Sequence, residues 1–254
     1  MVYQPLEILP STDELPCSDD TPVDNEEQNL LPNLLLLSLA QLWSTRMDWF
    51  FAVDMAVYHT TGPEPTVPVV PDAFLSLGIE RKKNGKSRRS YAVWEENETV
   101  PIFVLEMVSY RYNDEYEEKM ALYARLGVLY YLVYNPEYWG RRGQQHGPFE
   151  LYRLEQGRYQ LQTGEPFWMP EIGIGIGRGR QIVGGIEQEV LLWHDENGKS
   201  YPLSEQLLAE MKDEVLAEKQ RAEAEKQRAE VEKQRADKLA DYLRSQGIDP
   251  DSID

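Results

Sequence analysis

The sequence predicts an α/β (α+β) fold: a mixed central sheet flanked by helices, followed by a long C-terminal helix. Three observations predict it. An apolar helical stretch precedes a series of short β-rich runs. Between two of those runs stands a capped helix that closes on glycine. From residue 204 onward the chain becomes a charged seven-residue repeat, unsuited to a packed core.

Residues 1–24 are acidic and rich in Pro, Ser and Asp, and read as a flexible or loosely docked arm. From about Asn25 a helix runs to Thr45, apolar on nearly every side and therefore buried. Trp49 to Tyr58 reads as a strand with Asp54 as its odd member. In VPVVPDAFLSLG, Pro71 removes a ladder donor, which places Asp72 at an edge or bulge of an apolar strand. The run RKKNGKSRR carries Arg81, Lys82, Lys83, Lys86, Arg88 and Arg89 around Asn84-Gly85, a strong hairpin signal. Such a cluster is either a solvated hairpin tip or a contact for nucleic-acid phosphates.

Ile102 to Val108 is the central strand. Alternation puts Ile102, Val104, Glu106 and Val108 on one face, so a carboxylate interrupts an apolar surface. That is costly unless the group is paired or binds a metal. A helix follows, with Asp114 as N-cap, Glu117 completing a capping box and Gly127 closing it. Tyr116, Lys119, Met120 and Tyr123 form one stripe along it, and a lysine is out of place there. Val128 to Pro136 is apolar without alternation, as expected of a strand covered on both faces.

Residues 149–162 read as a hairpin turning at Glu155-Gln156-Gly157, and residues 181–194 as a last strand pair. Between them, Glu171 to Arg180 alternates Gly with Ile, which is not the strand–turn–helix of a phosphate cradle. The tail repeats AEKQRAE, AEKQRAE and VEKQRAD. Leu208, Val215, Ala222, Ala229, Ala236 and Leu243 recur every seven residues, but the second apolar position is mostly missing, so only a weak coiled coil is supported. The expected division is an arm over 1–24, a domain over 25–203 and a helical extension over 204–254.

The net charge is −18, with eight acids and no base in residues 1–30. Residues 31–204 are nearly balanced, with twenty-two acids and seventeen bases. Acidity weakens non-specific attraction to a phosphate backbone without excluding a local contact. A single cysteine, Cys17, excludes an internal disulfide framework, and no basic-then-apolar leader opens the chain. Leu30 to Trp43 is too short to cross a bilayer. A cytoplasmic protein that does not enter a membrane is expected. His59, His146 and His194 are scattered, read as surface or loop residues, and lack zinc-ligand spacing.

The order helix, strand, Pro71-Asp72 strand, Glu106 strand, Lys119 helix and buried strand resembles the PD-(D/E)XK nuclease superfamily. Within it the chain is similar to the Uma-type restriction-endonuclease-like family. The matching residues are Pro71-Asp72, VLEMVS (Val104 to Ser109) and Lys119-x-x-x-Tyr123 leading to Gly127-Val128. The superfamily's usual lysine lies two residues after the second acid, where this chain has Val108. Relocation to the following helix makes Lys119 the candidate. The resemblance implies that Asp72 and Glu106, with the Met107 carbonyl, hold Mg²⁺ or Mn²⁺, and that Lys119 orients or deprotonates water or offsets phosphate charge. Glu27 in the first helix is the candidate for a further acid. DNA is the implied substrate, and a homo-oligomer such as a dimer the expected assembly. The rival expectation is a non-catalytic binding or assembly protein whose C-terminal helix recruits a partner.

Overall fold

A computed structural model describes residues 9–17, 25–61, 66–108, 115–136 and 146–246, with the side chains of 204–210 excepted. Asn25 opens α1 (Glu26–Leu42) by accepting from the backbone N–H groups of Glu27 and Gln28. The helix is less buried than its composition predicts. Leu31, Leu35 and Leu39 form the buried stripe, while Leu37 is exposed. The run after it is two strands rather than one. β1 (Trp49–Val53) ends where Asp54 takes a positive φ of 49°, and β2 (Val57–Tyr58) follows.

The remaining elements are β3 (Ala73–Leu77), β4 (Tyr91–Ala92) with a 3-10 turn over Val93–Glu95, β5 (Phe103–Met107), α2 (Glu118–Leu126) and β6 (Tyr130–Tyr134). Then come β7 (Phe149–Glu155), β8 (Arg158–Leu161), β9 (Phe167–Met169), β10 (Ile174–Val183), β11 (Ile186–His194) and α3 (Ser204–Ser245). Six strands make one mixed sheet in the order β1-β3-β5-β6-β7-β8. Only its β5–β6 pair is parallel, and α2 supplies the crossover. A second sheet orders β11-β10-β9, and β2 pairs with β4 in parallel.

The two faces of the large sheet bury different partners. Phe103, Leu105 and Met107 of β5 pack with Leu31, Leu35 and Leu39 of α1 and with Trp193 of the second sheet. Val104 and Val108 pack with Tyr123 and Leu126 of α2 and with Val133. The alternation read in the sequence is therefore real, and Glu106 belongs to the α2 face.

The glycines of β10 are explained by close approach. A Cβ on Gly177 would stand 2.8 Å from Pro166 Cβ and 2.9 Å from Pro166 Cα. One on Gly179 would stand 2.6 Å from Leu192 Cδ1. Gly177→Ala must displace backbone, so it is expected to destabilise the domain by roughly 1–3 kcal/mol in urea unfolding. Wild-type stability in that variant would refute the packing account.

Two sequence expectations are corrected, on the histidines and on the start of the Lys119 helix. His59 and His194 are buried, with Nδ1 bonded to Thr61 Oγ1 and to the Leu192 carbonyl. Of the two alternatives for the acidic arm, residues 9–17 take the docked one: Leu15 is buried, the Trp94 indole donates to the Pro10 carbonyl, and Tyr58 donates to the Pro16 carbonyl. An indole and a phenol that need acceptors, plus one leucine, hold it there. The helix with Lys119 starts at Glu118, with Glu117 at the cap and no side-chain cap bond. The expected cap, Asp114, lies outside the described residues, as does Ser109. Gly127 closes the helix in the left-handed region as predicted.

The chain separates into two compact units, Met1–Leu203 and Ser204–Asp254. The second contains α3, 42 residues and about 63 Å long at 1.5 Å per residue. Residues 211–239 are all exposed. Among its described residues a single ion pair closes, Arg244 with Asp241. No helix among the described residues is long and apolar enough to cross a membrane.

Candidate active site

β3 is one residue too short to continue its ladder with β5, and a side chain takes over. Ala73 is the last β3 residue opposite β5, paired with Leu105. Beyond it Asp72 Oδ2 accepts from the Met107 N–H at 2.6 Å. Pro71 cannot donate, which explains why backbone pairing stops there. Asp72 Oδ1 has no protein donor among the described residues.

One residue along β5 from that bond, Glu106 is buried, with a side chain 2% exposed. Its Oε2 accepts from Lys119 Nζ at 2.8 Å and its Oε1 from the Tyr123 hydroxyl at 2.6 Å. Lys119 and Tyr123 are four residues apart on α2, so both point at the same strand carboxylate. Asp72, Glu106 and Lys119, singled out in the sequence, are brought together. Lys119 itself reaches solvent through a cleft of about 530 Å³ lined by Glu117, Glu118, Lys119, Ala121, Leu122 and Arg125.

The electrostatics follow from two or more carboxylates facing one ammonium. Burial pushes Asp72 well above the usual carboxylate range, and the Glu106 charge pushes it further. Burial pulls Lys119 down, but the charge of Glu106 and its hydrogen bond, with Asp72 and Glu115 behind, outweigh it and leave the amine above its ordinary value. Lys119 is therefore an ammonium at neutral pH and donates to Glu106.

Glu27 is not brought to this cluster. Its helix packs on the opposite face of the sheet, and its charge is felt at Tyr134. Glu115, which is buried, is the third acid whose charge reaches Asp72 and Lys119. No sequence signal pointed to Glu115. Tyr123 was visible as a member of the Lys119 stripe, but nothing in the sequence gave its role as donor to Glu106.

The basic hairpin is largely used within the fold. Arg81 lies over the Trp49 ring at 3.5 Å, and Arg88, almost fully buried, forks onto both Glu96 oxygens at 2.9 Å. Lys83 pairs with Glu95 at 2.7 Å. Lys82, Lys86 and Arg89 remain exposed, with Lys82 donating to Ser87 and Arg89 to the Asp13 carbonyl.

Among the described residues no three of His, Cys, Asp and Glu stand close enough to hold a metal by themselves. A cation at Asp72 and Glu106 would thus rest on two carboxylates, backbone carbonyl and water. That donor set suits Mg²⁺ or Mn²⁺, which keep several waters. The charge balance fits too, since buried acids outnumber the one ammonium and Asp72 is held toward its protonated form. Each Glu106 oxygen has a second acceptor site beyond Lys119 and Tyr123.

A strand carrying the buried Glu106, Asp72 at its broken ladder and Lys119 bonded to Glu106 stand together on one mixed sheet, the arrangement that the restriction-endonuclease-like resemblance leads one to expect. The family profile of Uma2, described as "Putative restriction endonuclease", matches residues 19–178, and the chain belongs to that family. No curated protein and no solved structure matches it.

Proposed function

We propose that the chain is a metal-dependent endonuclease that hydrolyses phosphodiester bonds of DNA. The observation that carries this reading is the convergence of Asp72, Glu106 and Lys119 in one buried cluster, of which Lys119 also borders a cleft along α2. Asp72, Glu106 and the Met107 carbonyl are the groups to hold Mg²⁺ or Mn²⁺. When bound, such an ion supplies an acidified water and an electrophile at the phosphoryl oxygens.

The chain's own groups do the rest. Glu106 keeps the Lys119 ammonium aimed into the site, and Tyr123 keeps Glu106 from turning away. Lys119 offsets charge that builds on the phosphate oxygens as the bond to phosphorus breaks. Lys82, Lys86 and Arg89 are the hairpin cations free to meet flanking phosphates.

Supercoiled, linear and single-stranded DNA should be cut with Mg²⁺ or Mn²⁺ and spared with a chelator. Lys119→Ala should slow cutting by about 10²–10³-fold, the scale of one lost transition-state donor. Cutting that ignores both the chelator and the lysine would sink the reading. The second reading, a non-catalytic binding or assembly protein, draws on α3, where Met211, Val215, Leu216, Leu239 and Tyr242 are exposed. It predicts no cutting and no metal binding that depends on Glu106. Pairing of α3 between copies would make it a dimer, readable by light scattering with and without residues 204–254.

A further inference from the structure

A second set of polar groups lies on the same face of the sheet as the cluster and has no role in it so far. In register, Glu106 pairs with Val133 of β6, and Val133 pairs with Glu150 of β7. Paired residues project to the same face, so Glu106 and Glu150 lie in one row. Two strand spacings separate them by about 10 Å. Glu150 is held by three donors: the Gly147 N–H at 2.8 Å, the Tyr152 hydroxyl at 2.6 Å and His146 Nδ1 at 3.0 Å.

His146 is fixed twice. Besides the Glu150 bond, its ring stacks on Tyr116 with centroids 3.6 Å apart and planes within 12°. Tyr116 adjoins Glu115, whose charge reaches both Asp72 and Lys119. With Nδ1 committed to a carboxylate, the orientation of the ring is set and Nε2 is left over. Nε2 makes no hydrogen bond among the described residues, and the side chain is 30% exposed. A half-exposed imidazole whose back nitrogen is anchored is how a protein presents one nitrogen to a ligand.

We infer that His146 is a substrate contact of the nuclease site that engages as the imidazolium, in which both ring nitrogens donate, Nδ1–H to Glu150 and Nε2–H to a phosphate oxygen beside the scissile phosphate. The inference rests on the endonuclease reading. The separation suits it, because about 10 Å leaves room for the reacting phosphate at one end and a neighbouring phosphate of the same strand at the other. The ligand is therefore the phosphodiester backbone of the bound strand, met at one point by Lys119 and the cation that Asp72 and Glu106 would hold, and at a neighbouring point by His146. Glu150 and Tyr116 are positioning residues that act through His146.

The test is kcat/KM for cleavage of double-stranded DNA by wild type, His146→Ala, His146→Gln and His146→Asn, each with a melting curve. His146→Ala should lose about 10–100-fold, the range for a hydrogen bond to a charged group. A glutamine amide reaches the Nε2 position and an asparagine amide the Nδ1 position. Gln should therefore restore part of the rate, and Asn should keep the melting temperature without restoring it. Wild-type rates in His146→Ala, or rescue by Asn in place of Gln, would overturn the inference and reduce His146 to a turn-stabilising residue. Cutting that needs Lys119 but ignores His146 would refute this contact alone. Absence of any metal-dependent cutting by wild type would refute it together with the endonuclease reading.

Discussion

Glu106→Gln is expected to lower metal-dependent cleavage by at least about 10³-fold, roughly 4 kcal/mol of transition-state stabilisation, in a protein that remains folded. The substitution is chosen because the shape survives while the charge does not. A glutamine carbonyl can still accept from Tyr123, so the buried phenol keeps a partner. What disappears is the anionic ligand of the proposed metal site and the charge that holds Lys119 at 2.8 Å. Stripping one member from a buried ion pair costs about 3–5 kcal/mol when the survivor is trapped. Lys119 is not trapped, because it borders the cleft and can extend into water. The stability loss should therefore be small and the activity loss large. Isothermal titration with Mn²⁺ and circular dichroism would separate the two. Undiminished cleavage by this variant would remove Glu106 from the chemistry.

Asp72→Asn should have the opposite signature on stability. The folded protein holds the Asp72 carboxyl well above its ordinary value of about 3.9, through burial and the Glu106 charge. A raised carboxyl stabilises fully below its unfolded pKa, and that stability is lost as pH rises through the folded one. At pH 7 the metal-free wild type therefore carries a penalty that asparagine does not. The variant keeps an oxygen for the Met107 N–H, and its amide N–H groups face the Glu106 side, where the charge that raises Asp72 accepts them. Its melting temperature without metal should exceed wild type at pH 7, by ~2–4 °C for each kcal/mol relieved, and converge with it near pH 4. Adding Mg²⁺ or Mn²⁺ at 100 times Kd should raise wild type by the equivalent of about 2.7 kcal/mol and leave the variant unmoved. A variant less stable than wild type at pH 7 would mean that Asp72 is structural, and that its charge is not in conflict with Glu106.

Much of this was legible because the sequence rules concerned are local. Alternation along Ile102–Val108 put Glu106 on the wrong kind of face, and the spacing of Lys119 and Tyr123 put both on one side of a helix. The relocated lysine could be named because a charge on an apolar stripe needs a partner. What could not be read depends on tertiary placement. Composition made α1 look buried all round, but the sheet covers one stripe of it. Glu27 was assigned to the site from helix order alone, whereas α1 packs on the far face of the sheet. Three hairpin cations were absorbed by Trp49, Glu95 and Glu96, and no local pattern foretells that a guanidinium will fork onto a carboxylate eight residues away. The His146–Glu150 pair arises from strand register between β5, β6 and β7, which a single sequence does not specify.

The sole parallel pairing of the large sheet has a bearing on how the reactive groups come into being. Parallel neighbours must be joined by an excursion, and here the excursion is α2, so the acid, the ammonium and the phenol all fall within residues 106–123. Docking one short helix onto one strand brings the three into contact whatever the state of the more distant segments. Asp72 alone is recruited from elsewhere in the chain, through its bond to Met107. The proposed site thus divides into a local cassette of strand and helix and a single remote residue, so on the endonuclease reading a chain could lose or regain its chemistry through Asp72 without disturbing the cassette.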